Sequence, residues 1–147
     1  MDKKIAILLI LLAVGMVLYA ADGDQSASLT SYNDRSAEPI VRPVWEQVIT
    51  YDFDADDTTN VTQAIPINGI LMKVILVAPD GTNAVTYQVE IDDNADIEIF
   101  DTGEKAEATT YVYNLFEPIS GTIDVTVGPS GAIGATHPDI VVYLRGI

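Results

Sequence analysis

The chain has no cysteine, one histidine and one tryptophan, and its 7 basic residues stand against 22 acidic ones. The missing cysteine removes disulfides, thiolate nucleophiles and cysteine-based zinc sites together. The single histidine, His137, lies in Ala135-Thr136-His137-Pro138, a loop before the last predicted strand. A Ser-His-Asp triad would have to recruit it, and no Gly-x-Ser-x-Gly elbow runs into a helix to provide the nucleophile. Scarce positive charge argues against nucleic acid as a partner, because phosphate binding needs a clustered basic surface. Carboxylates are so abundant that no pair stands out for glycoside cleavage. Gly128-Pro129-Ser130-Gly131 has no helix behind it to hold a phosphate. An enzyme is therefore the least favoured class, and no resident cofactor is expected.

Long apolar runs are equally scarce, which makes the one at the start informative. Ile5 to Ala21, seventeen residues without a charge, follows Lys3 and Lys4 and precedes Asp22-Gly23-Asp24. As a helix it would reach roughly 25 Å against a hydrocarbon core of about 30 Å. The run reads as a membrane anchor or signal segment over residues 1–21, with Ile5, Leu8, Leu9, Leu12 and Val17 as lipid-facing positions. Cleavage after Ala20 or Ala21 would place Leu18 or Tyr19 where a signal peptidase prefers a small residue. Tyr19 suits a membrane interface, so retention is the expectation and secretion after cleavage the alternative. Pilin-type processing would instead cut just before the run. Anchor and signal both put the remainder across the membrane from the two lysines.

Past residue 21 there are 21 acidic residues (22 less Asp2) and 5 basic ones (7 less Lys3 and Lys4), a formal charge of -16. Such an excess keeps a domain soluble through self-repulsion. Residues 22–42 are polar and close on Pro39 and Arg42 ahead of Pro43, and read as a linker. From residue 43 the period changes to two. Trp45, Ile49, Tyr51 and Phe53 alternate with Glu46, Val48, Thr50 and Asp52, predicting a strand with one aromatic, core-facing side. Gly69 to Ala78 is apolar on both faces apart from Lys73, as in a central strand covered on two sides. Val85 to Ile91 alternates cleanly. Further strands are predicted over 62–67, 96–100, 109–115, 122–127 and 140–145, with no helical period among them.

About eight strands separated by turns predict an all-β fold, an antiparallel β-sandwich or jelly roll over residues 43–147, preceded by one N-terminal hydrophobic helix. No segment is available for a crossover helix, which argues against a parallel α/β sheet. Asp52, Asp54 and Asp56 stand at alternate positions, as calcium-loop carboxylates do. The glycine and the closing glutamate of an EF-hand are replaced by Asp57 and Gln63, so calcium is a candidate ligand without its full motif. Asn60-Val61-Thr62 is a glycosylation triplet, which makes Asn60 a candidate acceptor.

The stretch from Ile65 onward resembles small β-sandwich proteins found among virion structural components of tailed phages and related viruses. The likeness is carried by the apolar strand through Ile75, the Pro79 turn, Tyr87-x-Val89 running into Asp92-Asp93, the Pro118-x-Ser120-Gly121 turn and the last strand with Tyr143. It implies decoration or assembly of particles. Together with the apolar run, it gives the expectation of a non-enzymatic, membrane-anchored virion component. A pilin-like filament subunit and a secreted binding module are the alternatives. Protein partners, either further copies or capsid neighbours, are expected at exposed sheet edges.

Overall fold

The computed structural model describes residues 25–33, 44–136 and 138–147. The expected N-terminal helix, its lipid-facing positions Ile5, Leu8, Leu9, Leu12 and Val17, and His137 all lie outside these residues. Among the described residues no helix is long and apolar enough to cross a membrane.

The described chain is all β and antiparallel. Its eight strands are β1 (Ser26–Asn33), β2 (Trp45–Asp52), β3 (Val61–Ala78), β4 (Thr86–Asp92), β5 (Glu98–Asp101), β6 (Lys105–Ala106), β7 (Thr109–Pro129) and β8 (Ile140–Gly146). Eight strands were expected, but they are not the same eight. The predicted strands over 62–67 and 69–78 are one strand, β3, and those over 109–115 and 122–127 are one strand, β7. Pro66 and Gly69 read as breaks in the sequence, yet both pair directly with β7, opposite Thr122 and Ile119.

The strand order β1-β2-β8-β3-β7-β4-β5, with β6 beside β4, folds over on the two long strands to make a sandwich. The first sheet holds β1, β2, β8, the second half of β3 and the first half of β7. The second holds the other halves of β3 and β7 with β4, β5 and β6. At the corner, the register shifts between Leu71 and Lys73 against both neighbours. A one-residue bulge reverses which side chains face inward. Before it the buried positions are Ile65, Ile67 and Leu71; after it they are Val74, Leu76 and Ala78.

Between the sheets lie Ile49, Tyr51, Leu71, Leu76, Tyr87, Ile91, Ile123, Val125, Ile140 and Leu144, none of them exposed to water. Trp45 and Phe53 join them, so the aromatic side of β2 is core as its alternation predicts. Burying each such side chain is worth ~1.5–3 kcal/mol, which is how a domain without disulfides is held.

The segment read as linker contains β1, so the sandwich begins at Ser26 and not at residue 43. Ala27 alternates with Ser26 and Ser28, and Leu29 with Ser28 and Thr30. That pattern is too sparse in apolar residues to announce a strand. An edge strand needs only one half-covered face, and β1 supplies it through Ala27, which packs on the core.

Candidate functional site

In a two-layer sandwich the inner faces make the core, and function is left to the outer faces, the edges and the loops. The two outer faces of this molecule differ sharply.

On the second sheet the outward positions are hydrophilic. Thr62, Thr126, Glu90 and Asp101 form one cross-strand row, and Ala64, Asp124, Asp92 and Glu98 the next. The Thr62 and Thr126 hydroxyls lie 2.8 Å apart. Gln88 donates to Glu90 at 2.9 Å and to Asp101 at 3.0 Å. A polar cleft of about 80 Å³ opens here, with Asn60, Gln88, Glu90, Glu104 and Ser130 in its lining. Asn60 takes its place in that lining because Gly128 has no side chain: a Cβ there would stand 1.9 Å from Asn60 Oδ1. This is a wetted, acidic surface with its polar groups largely paired among themselves.

The first sheet presents the opposite character. Thr30, Val48, Tyr143, Ile75 and Val112 stand side by side across five strands. The adjacent row adds Val141 and Val77 between Thr50 and Thr110. Val112 is 55% exposed, and Phe116, four residues on along β7, is 69% exposed. Gly69 to Ala78 was expected to be covered on both sides; Ile75 and Val77 are only half-buried, so the outer cover is missing among the described residues.

A polar row closes one end of this apolar band: the charged Glu46, Arg145 and Lys73, then Asn114. Arg145 Nε donates to the Glu46 carboxylate, and its guanidinium sits 5.8 Å from the centre of the Tyr143 ring. Held by an ion pair at its edge and by an aromatic ring at its face, the guanidinium has a set geometry. Thr30, Glu46, Val48 and Tyr143 line a recess of about 340 Å³ beside it.

The two sequence-derived candidates lie at the end of β2 and on the loop that follows it. Asp52 and Asp56 are exposed and Asp54 is half-buried; among the described residues no three acidic or imidazole side chains are grouped to hold a metal ion. The run builds a turn. The Asp57 carboxylate accepts from the Asp54 N–H at 2.8 Å, and the Asp57 N–H donates to the Asp54 carbonyl at 3.1 Å. Alternate carboxylates in the sequence were thus the outward side of β2 running into a tight turn. Asn60 is exposed at the mouth of the polar cleft.

The residues of the apolar outer face were not singled out from the sequence, although a signal for them was present. Ile140 to Leu144 is apolar at five successive positions, and Val112 and Phe116 stand on the side of β7 opposite Tyr111, Tyr113 and Leu115. Strands apolar on both faces need a cover on both. Tyrosines that face inward carry the displaced proton affinities. Burial holds the Tyr51 hydroxyl well above its usual range. Burial, then Glu107 and Asp80, pushes Tyr87 up to about 12.

No protein-family model matches the chain, and no curated protein matches it. Among solved structures it is similar to the carbohydrate-binding module TmCBM61 in complex with β-1,4-galactotriose, at 12% identity, 80% of this chain, 86% of that chain and a TM-score of 0.44. It is also similar to a pilus subunit of Bacillus endospore appendages, at 14% identity over 86% of this chain and 92% of that one, TM-score 0.42. A chain of infectious bursal disease virus is matched at 9% identity over 85% of this chain and 34% of that one, TM-score 0.38.

Proposed function

We propose that this chain is a non-enzymatic β-sandwich binding module that works outside the cytoplasm and holds a protein partner against the outer face of its first sheet. One observation carries the reading: the in-register apolar row Val48, Tyr143, Ile75 and Val112 on a face that no described residue covers. The equivalent face of the second sheet carries threonines and carboxylates. Solvent alone does not require valine and isoleucine on one outer face and threonine and aspartate on the other; a partner surface does. A glycan would stack on a free aromatic face, and the guanidinium of Arg145 already stands over the Tyr143 ring. That favours a protein with its own apolar strip and an acidic or amide group near Arg145 and Lys73. A photo-cross-linking residue placed at Val112 in the full chain should capture a protein in the native source, and one at Thr126 on the polar face should not. Capture from Thr126 alone would overturn the assignment.

A second reading, a structural subunit anchored in a membrane or a lipid-containing particle, is favoured by the uncharged run Ile5 to Ala21. Fractionation of native material tests it. Protein that retains Met1 and travels with particles or membranes supports it; a free soluble chain beginning after Ala20 or Ala21 overturns it.

A further inference from the structure

The geometry points to β1 as an exchangeable strand, supplied by one copy of this chain to the β2 edge of the next. This goes beyond the face-binding reading and stands or falls separately, because it concerns the sheet edge.

β1 pairs with β2 alone, over eight consecutive positions from Ser26 opposite Asp52 to Asn33 opposite Trp45. The two strands contribute unequally. On β2 the inward side chains are Trp45, Gln47, Ile49 and Tyr51, all buried. On β1, Ala27 is half-buried and Leu29 is 36% exposed. β1 is thus held mainly by backbone pairing, which is indifferent to which copy provides it, whereas β2 needs a strand beside it to cover an otherwise open edge above buried aromatic residues.

The connection between them permits the exchange. Asn33 and Trp45 are directly opposite, so a hairpin of two to five residues would close them. Residues 34–44, eleven in number, join them instead. Fully extended, such a length spans roughly 36–40 Å, enough to carry a strand to an adjacent sandwich. Pro39 and Pro43 belong to the residue type that favours extended backbone over a compact turn. Just before β1, Gln25 pairs with Thr59 through both its amide atoms, at 2.8 and 3.0 Å, and would give an incoming strand a register stop. Repeated in one direction, the exchange is heterologous and makes a chain of sandwiches; closed on itself, it makes a dimer.

The absence of native cysteine supplies a clean test. Ser28 and Thr50 are opposite each other on the outward side of the pair, at a separation that suits a disulfide. Full-length S28C and T50C chains are refolded together and oxidised, with S28C plus T126C as the control, since Thr126 lies on the other sheet. Disulfide-linked heterodimers from the first mixture and none from the second are expected, and the S28C/T50C double variant should form ladders. A double variant linked wholly within single chains, together with no cross-link between the single variants, would overturn the proposal, as would equal cross-linking in the control. Refolding in excess of a peptide of residues 25–33 should reduce the oligomers by capping β2; oligomers that do not respond count against it.

Discussion

The hydroxyl of Tyr51 on β2 donates to the carbonyl of Val125 on β7 at 2.7 Å, across 74 residues of chain and from one sheet to the other. It is a polar tie between the two sheets, set among apolar core side chains. Tyr51→Phe leaves that carbonyl without its side-chain donor and should lower stability by about 1–2 kcal/mol. Denaturant unfolding should show the midpoint falling with the slope unchanged.

Tyr87 provides the contrast. Its hydroxyl is buried with no partner among the described residues, so it costs desolvation without returning a bond. Tyr87→Phe should be neutral or mildly stabilising at neutral pH, by up to about 1 kcal/mol.

The same two tyrosines predict an alkaline transition. Their proton affinities in the fold stand above the usual tyrosine value, Tyr87 at about 12 and Tyr51 higher still. An unfolded tyrosine ionises near pH 10, so above that pH the unfolded chain releases protons that the folded one retains. The contribution is complete below about pH 10 and is lost as pH climbs toward the folded value. Unfolding followed by tyrosinate absorbance should therefore steepen above about pH 10, and less so in Tyr87→Phe.

Gly146 seats the only tryptophan. A Cβ at this position would lie 2.2 Å from the Ile70 carbonyl oxygen and 2.2 Å from the Trp45 ring. Gly146→Ala should cost about 1–3 kcal/mol through overpacking, with a shift in Trp45 fluorescence in the folded state. Gly103, which has nothing within 4 Å of its notional Cβ but a positive φ of 59°, should show a smaller loss on the same change and no fluorescence shift.

On the polar outer face, Asp92 is opposite both Asp124 and Glu98. Like charges directly across a sheet repel by some tenths of a kcal/mol. Asp92→Asn should raise the melting temperature at low salt, and added salt should raise that of the parent more than that of the variant, by screening.

How legible all this was in the sequence depended on how many faces of a strand were buried. β4 and β2 alternate because one face is core and the other wet, and both were readable from Val85 to Ile91 and from Trp45 to Phe53. β1 escaped because Ala27 and Leu29 carry little apolar weight; its place is set by pairing to β2, a long-range relation that no local pattern contains. The continuity of β3 and β7 escaped because Pro66, Gly69, Pro118 and Gly121 look like turns, and only the pairing of Pro66 with Thr122 and Gly69 with Ile119 shows that each lies within a ladder. Asp52, Asp54 and Asp56 alternate in the sequence as ligand carboxylates do, but spacing alone does not carry the turn that Asp54 and Asp57 close after β2.

The bulge between Leu71 and Lys73 also sets a rule of odd and even for how this chain can change length. Its half-step allows β3 to bury Ile65 and Ile67 on one side of the corner and Val74 and Leu76 on the other. One residue added or removed between Ile67 and Leu71 would turn Ile65 and Ile67 toward water while leaving the far half in place. Two residues would restore both. Variants of this sandwich should therefore tolerate paired insertions before the corner far better than single ones, and a lineage that lost the bulge would have to regain an odd residue elsewhere in the same strand.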